Sequence, residues 1–155
     1  MGKRKGLKDK RNQGVIIMKM EKLSKEELEL VKVALETVRM NRVDTKAISS
    51  SVGCALLAGN GLVYIGANIK NLSSSPVSVC AEMSAVSSMF SDGQRKIKFI
   101  AAVHMEDRKS DNWKVLQPCG ACRHIIGEFG NPWVAVSKAK KARLADLYPL
   151  PVKKK

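Results

Sequence analysis

Apolar positions first recur at helical spacing between residues 24 and 40. Leu28, Leu30, Val31, Val33, Ala34, Leu35 and Val38 carry that pattern, and Ser24 with Glu27 has the form of a capping box. This predicts a helix over about 24–40, packed on one face of a sheet. Residues 51–57 read as a strand, and Ala58-Gly59-Asn60-Gly61 has turn chemistry, with Gly and Asn able to take positive φ. Residues 62–67 return as the second strand of a hairpin, and a Ser-rich loop over 68–79 follows. Residues 80–90 predict a helix with Met83, Val86 and Met89 on one side, stopped at Ser91-Asp92-Gly93. Ile97–Met105 is apolar enough for a central strand, and 106–117 reads as a polar loop. A helix is predicted from 118 to about 129, closed by Gly130-Asn131-Pro132, then a strand over 133–136 and a short helix over 142–148. No internal repeat is visible. The order helix, hairpin, helix, strand, helix, strand predicts an α/β protein, a three-layer α/β/α sandwich with a mixed sheet.

At 155 residues one globular domain is expected, and 45% hydrophobic content supplies its core. Only 5% of residues are aromatic, so aliphatic and alanine packing should dominate. The division expected is a basic disordered extension over 1–20, a domain over 21–152 and a basic tail over 153–155. Met18 or Met20 is a candidate natural start. The net charge is +14, but its distribution changes what it means. Residues 1–23 hold eight Lys/Arg and two acids, and 138–155 hold seven and one. Residues 24–137 hold thirteen and eleven. The charge therefore sits at the ends, which argues against nucleic acid as the main partner. No apolar run approaches the ~18 residues of a membrane span. Val15-Ile16-Ile17-Met18 is too short for a signal-peptide core. A cytoplasmic, reducing location is expected, where a Cys-x-x-Cys reads as metal or redox chemistry rather than a structural disulfide.

Two short stretches carry the chemistry. Cys80-Ala81-Glu82 places a thiol and a carboxylate two residues apart, and Pro118-Cys119-Gly120-Ala121-Cys122-Arg123 supplies two more thiols. Three thiolates can fill three corners of a zinc tetrahedron and leave the fourth for water. Glu82 can lie beside that water without binding the metal, a catalytic rather than a structural arrangement. All three cysteines fall at predicted helix starts, where unpaired N–H groups and the helix dipole lower a thiol pKa. Arg123 could offset the remaining negative charge by hydrogen-bonding a ligand sulfur. Two other readings use the same residues. A structural four-cysteine site would recruit Cys54, yet such sites pair two close-spaced knuckles and one is present. Cys54 also sits between Gly53 and Ala55 like a small core residue. A redox pair at Cys119 and Cys122 leaves Cys80 and Glu82 unexplained. His104 and His124 are read as structural.

These motifs resemble the zinc-dependent cytidine deaminase family. The similarity runs over about 51–149 and includes Val52-Gly53-Cys54-Ala55-Leu56-Leu57, Gly66-Ala67-Asn68 and the stretch 118–130. Three cysteine ligands resemble the small free-nucleoside deaminases, which are usually homotetramers. The resemblance implies one zinc per subunit on Cys80, Cys119 and Cys122, with Glu82 as proton shuttle. It implies base-edge contacts from backbone at Ala81 and around Gln117, and a sugar contact from Asn68. The reaction implied is hydrolysis of cytidine or deoxycytidine to the uridine counterpart plus ammonia. The family's Asn-x-Glu is replaced here by Asn68-Ile69-Lys70. Lysine cannot accept a hydrogen bond and would suit a substrate bearing carboxylate or phosphate. The loop to Cys80 is one residue longer than the usual pattern. Ser50 replaces an aromatic residue, and Tyr148 is only an approximate stand-in for a C-terminal aromatic that reaches a neighbouring site. A modified cytosine nucleoside such as blasticidin S, or another amino-heterocycle, is the alternative substrate. A nucleic-acid editing or binding protein is the alternative of a different class.

Overall fold

A computed structural model describes residues 18–109 and 111–149. The basic stretch 1–17 and the tail 153–155 lie outside the described residues. In chain order the elements are β1 (Met20–Lys22), α1 (Lys25–Asn41), β2 (Val43–Asp44), β3 (Ile48–Ser50), β4 (Val52–Ala58), β5 (Val63–Ala67) and β6 (Lys70–Asn71). They continue with α2 (Ala81–Ser91), β7 (Ile97–Met105), β8 (Trp113–Leu116), α3 (Gly120–Gly127), β9 (Trp133–Ala135), β10 (Lys140–Arg143) and α4 (Leu144–Leu147).

The capping box forms as the sequence predicts. The Glu27 N–H donates to Ser24 Oγ at 3.2 Å, and the Ser24 N–H donates to Glu27 Oε2 at 2.8 Å. Behind it, α1 buries Leu30, Val31, Ala34, Leu35 and Val38, while Leu28 and Val33 stay exposed at the edge of the stripe. The hairpin of β4 and β5 turns at Gly61, whose φ of 89° is cheap only for glycine.

The main sheet runs β1-β10-β9-β7-β4-β5, with β8 also paired to β7. Among the described pairs only β7 with β9 is parallel, so the sheet is mixed. Alternation along β4 divides the core. Cys54 and Leu56 face α2, α3 and α4, whereas Ala55 faces α1 with Phe99 and Val103 of β7. The three layers are those the element order implied. Two glycines let the helices close on the sheet. A Cβ at Gly53 would lie 2.4 Å from the Ala34 carbonyl of α1, and one at Gly66 would lie 2.4 Å from the Ala81 carbonyl of α2.

The structure corrects several element assignments. The loop expected over 106–117 contains β8, antiparallel to β7 from Ala102↔Leu116 to Met105↔Trp113. The helix expected over 142–148 starts only at Leu144, because Lys140–Arg143 forms a strand between β9 and β1. Met20 pairs with Ala142, so the sheet takes in the last residue assigned to the extension. The lysines in β10 disguised it. Lys141 lies 2.7 Å from Glu27, and Lys141 and Arg143 both cover the Trp133 ring. A small second sheet, β2-β3-β6, arises from segments of two or three residues.

Candidate metal and active site

Close packing over Gly66 holds the start of α2 against β5. Cys80 is the N-cap of α2 and Glu82 lies in its first turn. On the same side of the sheet, Cys119 is the N-cap of α3 and Cys122 lies in its first turn. The two helix starts bring the three Sγ atoms within 4.8 Å of one another, with Cys80 and Cys119 4.0 Å apart. Zinc–sulfur bonds of about 2.3 Å in a tetrahedron separate the sulfurs by about 3.8 Å, so this donor set fits the ion. All four cysteines are free thiols, and Cys54 lies fully buried in β4, outside the cluster.

The electrostatics differ from what helix starts alone suggest. Burial raises the Cys80 thiol, and burial with the nearby Glu82 carboxylate pushes Cys122 far up. Burial also acts on Cys119, but the backbone N–H of Cys122 and the neighbouring thiols outweigh it and leave that thiol below its ordinary value. The expectation of a lowered thiol at a helix start therefore holds at one cysteine of three. Desolvation dominates at the other two. Glu82 is only 7% exposed, and burial raises its carboxyl above the usual range.

Beside the cluster lies a cavity of about 270 Å³ whose wall includes Asn68, Lys70, Ala81, Glu82 and Gln117. Asn68, Lys70, Ala81 and Gln117 thus meet Cys80 and Cys119, two of the three clustered thiols, in one cavity. Asn68 Oδ1 accepts from the backbone N–H groups of Ser51 and Val52, each at 2.8 Å, and from Ser50 Oγ at 3.2 Å. Ser50 therefore braces Asn68. Arg123 does not reach a sulfur. Its Nε donates to the Pro118 carbonyl at 2.8 Å and its Nη1 to the Leu147 carbonyl at 2.6 Å. It ties the turn before Cys119 to the end of α4. The Tyr148 hydroxyl lies 3.3 Å from His124 Nδ1. Ser78 and Leu116 also line the cavity. Neither was singled out in the sequence. Leu116 was hidden with β8, and Ser78 was one serine among several in a loop.

The family model for the cytidine and deoxycytidylate deaminase zinc-binding region matches residues 24–138. A cytidine deaminase of Sporosarcina psychrophila is 44% identical over 80 residues, 52% of this chain and 54% of that enzyme. The chain thus spans about half the length of that relative. A blasticidin-S deaminase of Bacillus cereus is 32% identical over 139 residues, 86% of this chain and 96% of that enzyme. The crystal structure of the Mycobacterium tuberculosis cytidine deaminase superposes with a TM-score of 0.65 at 27% identity, covering 81% of this chain and 96% of that one. With the match reaching from the capping box of α1 to beyond β9, the chain belongs to the cytidine and deoxycytidylate deaminase zinc-binding family.

Proposed function

We propose that this protein hydrolytically deaminates a free aminopyrimidine nucleoside, of the cytidine or deoxycytidine type, to the keto pyrimidine and ammonia. The observation that carries the reading is the buried Glu82 carboxyl in one cavity with two of three clustered thiols. Cys80, Cys119 and Cys122 would hold zinc. When bound, zinc supplies a Lewis acid that makes water a nucleophile near neutral pH.

Glu82 would do the proton work. Its carboxylate takes a proton from the attacking water and gives it to ring N3 of the base. It then passes the water's second proton to the amino group at C4. A C–O bond forms at C4, the C–N bond breaks, and ammonia leaves. Burial suits this role, since a carboxyl raised toward neutrality can both accept and donate. Backbone groups at Ala81 and Gln117 would hold the base edge. Asn68, its carbonyl engaged by Ser50, Ser51 and Val52, would offer its amide to the sugar. Arg123 would act by fixing the turn that presents Cys119.

A modified cytosine nucleoside such as blasticidin S is the second reading, favoured by the alignment spanning nearly the whole length of the Bacillus cereus enzyme. We infer a homotetramer in the cytoplasm by analogy with the small nucleoside deaminases. Apolar Val63 and Ile65 exposed on edge strand β5 are consistent with subunit contact. No described helix is long and apolar enough to cross a membrane. An ultraviolet assay of the zinc-loaded protein with cytidine, deoxycytidine, cytosine and blasticidin S tests the reaction. Loss of the cytosine chromophore with one ammonia per turnover is expected. No turnover of any of the four at full zinc occupancy would overturn it.

A further inference from the structure

Away from the clustered thiols and Glu82, the polar side chains on the cavity wall are Asn68, Lys70, Ser78 and Gln117, set among apolar neighbours. Between Asp44 and Glu82 the chain contains no Asp or Glu. Lys70 is the one cationic side chain lining the cavity and Glu82 the one carboxylate, among the described residues. Lys70 makes no ion pair or hydrogen bond through its side chain among the described residues. An antiparallel bridge joins Ile69 to Val79, with N–H···O distances of 2.9 and 2.8 Å. That register places Lys70 beside Ser78. The Ser78 Oγ accepts the Asn71 N–H at 3.0 Å, so its hydroxyl proton is left to donate into the cavity. Asn68 has its carbonyl oxygen occupied by three donors, which leaves its amide N–H groups. An ammonium, a hydroxyl proton and an amide NH₂ together suit an acceptor-rich, anionic group.

Resting on the deaminase reading above, we propose that the substrate carries an anionic group, a phosphate or a carboxylate, on the part distal to the aminopyrimidine ring. Lys70 and Ser78 receive it. The cation also offsets the repulsion such a substrate meets from Glu82 and the thiolate cluster. A neutral nucleoside would leave the solvent-exposed Lys70 ammonium without an anionic partner.

The test compares kcat/KM of the zinc-loaded protein for deoxycytidine, deoxycytidine 5′-monophosphate and the 5′-carboxylate of cytidine. A preference of about tenfold or more for an anionic substrate is expected, and which of the two it is identifies the group. K70E should cut that preference at least about tenfold, chiefly through KM. K22E, the same charge change on edge strand β1, should leave it as it was. Binding of deoxyuridine 5′-monophosphate against deoxyuridine by calorimetry gives a readout independent of turnover, and tighter binding of the phosphate is expected. Equal or better use of deoxycytidine, or K70E and K22E acting alike, would overturn the proposal. Tighter phosphate binding without any turnover would support Lys70 as the anion contact and sink the deaminase reading instead.

Discussion

Gly66 of β5 lies directly under Ala81 of α2, so close that a Cβ on Gly66 would fall 2.4 Å from the Ala81 carbonyl oxygen. It would also meet the Ala85 nitrogen at 2.4 Å. Both contacts are backbone, which cannot swing aside. The helix that carries Cys80 and Glu82 is seated by the absence of a side chain on the strand beneath it.

G66A should therefore displace the start of α2 and spoil the metal cluster. Zinc affinity is expected to fall at least about tenfold, with a stability loss of about 1–3 kcal/mol. G53A is the matched control. Its Cβ would press equally hard on Ala34 and Val38 of α1, on the opposite face of the sheet. It should lose similar stability while keeping zinc affinity. Thermal unfolding and competition titration with a chromogenic chelator read both quantities.

E82Q should keep zinc and lose turnover by about a thousandfold or more, since the amide cannot carry a proton between water, ring N3 and the leaving amine. Metal analysis must show the wild-type zinc content in the variant. Turnover within tenfold of wild type would remove Glu82 from the mechanism.

Much of this site was legible because its residues sit at element boundaries with distinctive chemistry. Cys80 and Cys119 are helix N-caps, and the helices after them are signalled by apolar spacing and closed near Gly93 and Gly130, both at positive φ. β7 carries a run of apolar residues and reads correctly to both ends. The missed elements are those whose pairing is tertiary. β8 is four residues with a lysine in the middle, and β10 is mostly cationic. Their strand character comes from β7, β9 and β1, which no local pattern reports. Arg123 was misjudged for a similar reason. Its partners Pro118 and Leu147 are backbone carbonyls, one of them 24 residues away.

Zinc uptake should release at least about two protons per site near pH 7. Burial holds the Cys80 and Cys122 thiols above the ordinary cysteine value, so both are protonated there, whereas only thiolates bind the metal. Raising the pH removes those protons in advance. Apparent zinc affinity should therefore climb with pH, by about a hundredfold or more per pH unit. Calorimetric titrations in buffers of different ionisation enthalpy count the protons. An affinity independent of pH from 6 to 8 would show that the thiols are already ionised.

Asn68 joins two jobs that substitution can separate. Its Oδ1 gathers the N–H groups of Ser51 and Val52 and the Ser50 hydroxyl, fixing the entry to β4 against the end of β5. Its NH₂ is left for the cavity. N68A removes both and strands two backbone donors, at a cost of about 1–3 kcal/mol. N68D keeps an acceptor oxygen for the same donors, so most of that stability should remain. It replaces the cavity-facing donor with a second carboxylate oxygen, and its KM should rise about tenfold or more, most steeply for a substrate bearing an anion. The two variants thus predict opposite rankings by unfolding temperature and by KM. If N68D instead unfolded as early as N68A, the acceptor oxygen would not be what holds the strand entry. If its KM matched wild type, the amide would not touch the substrate.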